Sequence, residues 1–196
     1  PMAYETVTQA RKSIQVDMFA FGGDTGMDLA RRLLERQKAG VEVTVMIDPN
    51  LGFVGGTKQQ VARVVDFLKT EGIRLKTYPL HHIPSPRGLI KGKAQIDHNK
   101  LIVVDGETAI IGSMNFFDFG SDNHDIMFRI RGTLASELSS LMRLDWGLPQ
   151  QNQFENYRRF RTHAMNAEPT QVRLTKTDAF ERSTKERLLE NIRHAQ

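Results

Sequence analysis

The chain has 196 residues, 39% hydrophobic and 26% charged, and its 27 Lys and Arg against 23 Asp and Glu give a formal net charge of +4 and a sequence pI near 9.5. A domain of this length buries about 70% of the surface its unfolded chain exposes, which excludes wholesale disorder and predicts a packed core. The lack of cysteine excludes disulfides and thiol catalysis, and no apolar run nears the roughly 18 residues of a membrane-spanning helix, so the chain reads as soluble, cytoplasmic or peripheral to a membrane unless a signal or anchor precedes Pro1.

In chain order, Ile14, Val16 and Met18 alternate with Gln15, Asp17 and Phe19, a period of two that predicts a strand ending at Phe21-Gly22-Gly23. Met27 to Lys38 predicts a helix with Leu29, Ala30, Leu33 and Leu34 on one face, closed by Gly40. Val41 to Ile47 reads as a strand stopped by Asp48-Pro49. The glycine-rich turn that follows, through Gly55-Gly56, reads as a simple loop. Lys58 to Lys69 predicts a second helix, with Val61, Val64, Val65 and Leu68 on its apolar face and its end near Gly72, and Ile73 to Thr77 predicts a third strand.

Pro79 to Asp97 is a long segment with three prolines, His81-His82, Arg87, Lys91 and Lys93. Such loops in compact domains are usually functional, and this one is expected to wall the substrate site. Adjacent histidines point apart on extended chain and no acidic or thiol set completes a shell, so no metal is expected.

His98 and Lys100 then head an apolar run, Leu101 to Val104, that predicts a strand. Asp105-Gly106 signals a hairpin, and Thr108 to Ile111 supplies the returning strand, which brings Ser113 and Asn115 back beside His98. The hydroxyl and carboxamide can donate to the non-bridging oxygens of a phosphoryl group, Lys100 adds a positive charge, and His98 is the candidate nucleophile or proton carrier. A further strand is predicted over Ile126 to Ile130, then a helix capped by Thr133, carrying Leu134, Leu138 and Leu141 and running toward Asp145-Trp146. The alternation of strands and helices predicts an α/β fold, an α/β/α sandwich on a mixed, mostly parallel sheet. Tyr157-Arg158-Arg159-Phe160-Arg161 reads as an exposed helix face or a clamp on the sheet edge in preference to a nucleic-acid surface.

His98, Lys100, Asp105, Gly112, Ser113 and Asn115 meet every spacing of H-x-K, four residues, D, six residues, G-S-x-N. In this the chain resembles the phospholipase D superfamily. The resemblance implies a phosphodiester substrate, no cofactor and a covalent phosphohistidine, with His98 as nucleophile or acid/base and Lys100, Ser113 and Asn115 on the phosphate. Asp105 belongs to the implied catalytic motif as a structural member, and Asp125 stands where the family often has an acid that orients the imidazole. The family's site needs two such motifs and this chain has one, which implies a second copy about a twofold axis or a longer polypeptide. Tyr4 to Ile14 resembles the opening of a family repeat, and Glu186 to Gln196 resembles the same helix cut short. The expected organisation is therefore a domain over 1–180 and, over 181–196, a helix opening a second repeat.

Residues 5 to 146 are most similar to cardiolipin synthases and related phospholipid-processing members, notably around Asn123-His124-Asp125-Ile126. The leading expectation is a phosphatidyl transferase or phospholipase acting on a phospholipid head group, with a membrane surface as plausible partner. A metal-independent endonuclease and an inactive half-domain that binds anionic lipid or nucleic acid are the alternatives. A net charge of +4 attracts either substrate class and separates neither.

Overall fold

The computed structural model describes residues 2–48, 57–77, 97–118 and 124–147, together with the backbone of two short strands at 164–166 and 171–173. The main unit comprises Pro1–Tyr78 and Ile96–Gly147. Its elements run α1 (Met2–Thr8), β1 (Ser13–Met18), α2 (Gly23–Lys38), β2 (Glu42–Ile47), α3 (Thr57–Thr70), β3 (Arg74–Thr77), β4 (Lys100–Val104), β5 (Thr108–Gly112), β6 (Met127–Arg131) and α4 (Thr133–Gly147). Each element predicted from periodicity is present within a few residues of its expected bounds.

The six strands form one sheet in the order β3-β2-β1-β4-β5-β6. Strands β1, β2 and β3 are parallel, while β1–β4, β4–β5 and β5–β6 are antiparallel. The sheet is mixed as expected, but "mostly parallel" is corrected. Parallel neighbours need long crossovers, which α2 and α3 supply, whereas the turn at Asp105 reverses the chain directly and β6 pairs back on β5.

Helices cover both faces. Ile14, Val16 and Met18 of β1 join Ile102, Val104 and Ile110 in a core shared with Val7 of α1, Leu29 and Leu33 of α2, and Val64 and Leu68 of α3. Leu29, Leu33, Val64 and Leu68 are fully covered, and each such side chain contributes about 1.5–3 kcal/mol by burial. The opposite face of β1 carries Gln15, which exchanges hydrogen bonds with Ser139 of α4 (Gln15 Nε2 to Ser139 O, 3.2 Å; Ser139 Oγ to Gln15 Oε1, 2.5 Å). The alternation in β1 therefore separates an apolar from a polar face, yet both are buried, because β1 is central and α4 closes its second side.

At the β4–β5 turn Asp105 (φ 56°) and Gly106 (φ 68°) both take left-handed backbone, and Glu107 N–H closes on Val104 O at 3.0 Å. The Asp105 carboxylate accepts the N–H groups of Arg11 (3.0 Å to Oδ2), Lys12 (2.7 Å) and Ser13 (2.9 Å), which fastens the hairpin to the start of β1.

A second unit comprises Pro79–Gln95 and Leu148–Gln196, where the described residues are two paired antiparallel strands, β7 (Ala164–Asn166) and β8 (Gln171–Arg173). The glycine-rich turn after Asp48, His81-His82 and the basic segment around them, Tyr157 to Arg161, Glu186 to Gln196 and the 180/181 boundary lie outside the described residues.

Candidate active site

The sheet assembles the site through its register. Met18 pairs with Lys100 and with Ile47, and Gly112 pairs with Met127. The C-terminal ends of β1, β2 and β5 and the N-terminal ends of β4 and β6 therefore share one edge of the sheet. His98 lies just before β4, Lys100 opens it, Ser113 and Asn115 follow β5, and Asp125 precedes β6. Five of the six residues singled out in the sequence are thus brought to one end. Asp105 is not: it follows the far end of β4, five residues beyond Lys100 at roughly 3.3 Å each, away from the other five, a place that suits a structural member of the motif.

Lys100 is buried (5% exposed) and its Nζ donates to the His98 carbonyl oxygen at 2.9 Å. It also lies 4.8 Å over the ring of Phe19, the residue that follows β1. Burial lowers its pKa to about 8, against the opposing fields of Asp97, Asp125 and Asp17. The imidazole of His98 packs on the same Phe19 ring, 4.5 Å between centroids. Partial burial, and then the Lys100 charge, hold its pKa below the ordinary 6.5, with Asp48 opposing. A neutral imidazole beside a fixed cation is the pairing that attack on an anionic phosphodiester requires.

Ser113 Oγ accepts the N–H of Ile126 at 3.0 Å, which leaves its hydroxyl hydrogen to donate elsewhere. Asn115 Oδ1 accepts the N–H of Ala20 at 3.2 Å, which turns its Nδ2 donor the other way. Gly112 precedes this pair for a steric reason: a Cβ there would collide with the Ile126 carbonyl oxygen and come within 2.8 Å of Met127 Cα. Just beyond, Asp118 accepts the N–H groups of Asp24 (3.0 Å) and Thr25 (2.9 Å), which docks the loop after β5 on the first turn of α2. Those two N–H bonds, led by that from Thr25, lower its pKa.

The carboxylate whose field reaches His98 is that of Asp48, while Asp125 acts on Lys100.

Sequence reasoning missed a buried carboxyl pair. Asp17 (1% exposed) and Asp97 (4% exposed) lie beneath the end of β4. Asp17 Oδ1 and Asp97 Oδ2 are buried without a donor, and the two carboxyls are close enough to hydrogen-bond. A proton retained on Asp17 would let that carboxyl donate to Asp97. Burial, then the Asp97 charge, raises the Asp17 pKa well above 3.8, and burial likewise raises that of Asp97. The available signal was a carboxylate inside a strand whose neighbours are otherwise apolar.

A family model described as "Cardiolipin synthase, PLD-like domain" matches residues 4–146. Among curated proteins, the chain is similar to the cardiolipin synthase of Clostridium perfringens strain SM101, 24% identical over 163 residues, with 79% of this chain and 32% of that protein covered. It is also similar to cardiolipin synthase B of Salmonella typhi, 26% identical over 147 residues, with 70% and 33% covered. The chain thus spans about a third of the length of these relatives. Among solved structures, its fold matches the phospholipase D family member Nuc from Salmonella typhimurium (TM-score 0.58, 24% identity, 74% of this chain and 84% of that one). It matches NucT from Helicobacter pylori as well (TM-score 0.57, 16% identity, 74% and 85%).

Proposed function

Because the chain belongs to the phospholipase D-like domain family of the cardiolipin synthase type, we propose that it is a phosphodiesterase or phosphatidyl transferase acting on phospholipid, and that it supplies half of a two-motif site. The observation that carries this reading is the convergence of His98, buried Lys100, Ser113 and Asn115 at one sheet end.

In the proposed reaction, Lys100, the Ser113 hydroxyl and the Asn115 amide hold the non-bridging oxygens of the diester. A ring nitrogen of one histidine, His98 or its counterpart from the second motif, attacks phosphorus. The bond to the leaving alcohol breaks as the other histidine delivers a proton to that oxygen, and a phosphohistidine remains. The now neutral histidine removes a proton from water or an acceptor alcohol, whose oxygen displaces the imidazole and restores the first histidine. Three donors at the oxygens stabilise the charge that builds on them during both steps. Asp125, beside Lys100, helps keep that ammonium charged, and its reach toward His98 is part of this proposal. A second copy of the chain or a further repeat contributes the other histidine.

The test is turnover by the complete protein on phosphatidylglycerol and phosphatidylcholine, with released head group and cardiolipin both quantified. Turnover abolished by His98→Asn supports the reading, and no reaction with either lipid refutes it. A second reading, a metal-independent endonuclease of the same superfamily, is compatible with the +4 charge and basic pI, which attract a nucleic-acid backbone as well as an anionic lipid. Degradation of single-stranded or plasmid DNA in EDTA, lost in His98→Asn, would put it first. A monomer in sedimentation with no phosphodiesterase activity would instead support an inactive binding half-domain.

A further inference from the structure

The middle residue of the His98-Asn99-Lys100 triplet is turned away from the groups that meet the substrate. Its side chain crosses to the central strand, where Asn99 Nδ2 donates to Asp17 Oδ2 at 2.9 Å. The main chain around it is held as well. Asn99 O accepts the Phe19 N–H at 2.8 Å, Asn99 N–H points at Asp97 Oδ1 at 3.4 Å, and Asp97 N–H donates to Asp48 Oδ2 at 2.6 Å. The segment that carries His98 precedes the first residue of β4, so these contacts, rather than a strand ladder, fix its path.

We propose that Asp17 and Asn99 are positioning residues of this site: an amide tether, anchored on a rigid central strand, fixes the 97–99 backbone and so the direction in which the His98 side chain leaves it. The inference rests on the reading of His98 as a group that meets phosphorus.

Two physical facts favour a positioning role over plain packing. A buried carboxyl is costly where an apolar side chain of similar size would stabilise, and Asp17 occupies the centre of a covered sheet. Only a polar group there can hold Asn99. The groups facing Asp17 are Asp97, Asn99 and Asp145 of α4, those facing Asp97 add Asp48, and Lys100 feels both. Asp17 Oδ2 is the acceptor that the Asn99 amide meets at 2.9 Å, and a proton retained on Asp17 would ease its repulsion with Asp97. A displacement of about 1 Å in a reacting group costs roughly 100-fold in rate, so the aim of a largely exposed imidazole is worth this expense.

The test uses the full chain, bis(p-nitrophenyl) phosphate as a generic diester, and the imidazole NMR signals of His98. Asn99→Ala is expected to lower kcat about tenfold with KM within about twofold and to shift the His98 signals. Its melting temperature is expected to fall by a few degrees, because the buried Asp17 Oδ2 loses its donor, so kcat is referred to folded molecules. Asp17→Asn is expected to keep kcat within about twofold, since its carboxamide can accept from Asn99 and donate to Asp97. Asp17→Leu should match Asn99→Ala, and the double variant should be no worse than either single one, because both cut the same tether. Unchanged kcat and unmoved His98 signals in Asn99→Ala would overturn the proposal, as would Asp17→Asn proving as damaged as Asp17→Leu. Should Asp17→Leu fail to fold, Asn99→Ala and Asp17→Asn decide. A wild-type chain inert toward the diester would count against completion of the site by a second copy of this chain, and the His98 signals would then decide the tether by themselves.

Discussion

Replacing Asp105 separates structure from chemistry within the motif. Its carboxylate accepts three backbone N–H groups at the start of β1, and its own backbone sits at φ 56°. Asp105→Ala removes all three bonds and places a side chain with no local polar partner in the left-handed region. Each bond contributes about 1 kcal/mol net once the partial exposure of the carboxylate is counted. The left-handed backbone costs alanine about 1 kcal/mol more, so the expected loss is about 4 kcal/mol. Asp105→Gly restores the backbone freedom and should lose about 3 kcal/mol, while Asp105→Asn keeps one acceptor oxygen and a tolerated φ and should lose about 1–2 kcal/mol.

Urea unfolding, with the slope checked for constancy, gives the ranking. Turnover per folded molecule should stay within a few fold of wild type throughout. Partial burial alone would raise the Asp105 pKa, but the N–H groups of Ser13, Lys12 and Arg11 overcome it and hold the group below 3.8. Its contribution is therefore complete above the unfolded carboxylate value and is lost as pH falls through the folded one, so Asp105→Ala should flatten the acid limb of the stability curve. Unaltered midpoints, or turnover abolished in a variant of normal stability, would refute the reasoning and return Asp105 to the chemistry.

His98→Ala should abolish turnover while leaving the cooperative melt intact, because an exposed group before a strand contributes little packing; a lost melt would make its role structural. Lys100→Ala should lower kcat/KM by about 2 to 4 kcal/mol, roughly 30- to 1,000-fold, as one charged donor in a buried setting leaves the phosphate; an unchanged rate would remove Lys100 from the site. Gly112→Ala should cost about 2–3 kcal/mol in urea unfolding, because its Cβ drives β6 off β5. Asp17→Asn should change the pH dependence of melting: the raised pKa means the native state holds a proton that the unfolded state releases, so wild-type stability falls as pH rises through that interval. The variant should gain on wild type as pH rises above the ordinary carboxylate range and melt alike near pH 4, and parallel curves would count against a proton held by Asp17.

Much of the fold was legible because its signals are local. The period of 3.6 in Met27 to Lys38 and the period of two in Ile14 to Met18 each report a face to be buried, and Asp105-Gly106 announces a reversal through its own backbone preference. The convergence of the candidate residues was legible for a related reason: on a hairpin, the distance along the chain between His98 and Ser113 sets their distance in space. Strand pairing is not local. β1 joins β4 antiparallel across more than eighty residues, which no periodicity within either strand encodes, and the sheet consequently has fewer parallel pairs than alternation of helices and strands suggested.

Residue types, spacing and periodicity by themselves determined the elements, the hairpin and the candidate groups that meet at one end of the sheet. Only the tertiary structure decided that both faces of β1 are covered, that the buried carboxyls of Asp17 and Asp97 meet, that Phe19 lies against both His98 and Lys100, and that Asp105 fastens the far end of the sheet. The physical reason is that burial and field at a side chain come from elements distant in sequence. A carboxylate in a strand reads the same on paper whether water or α4 lies above it, and its charge, proton and partners follow from that difference.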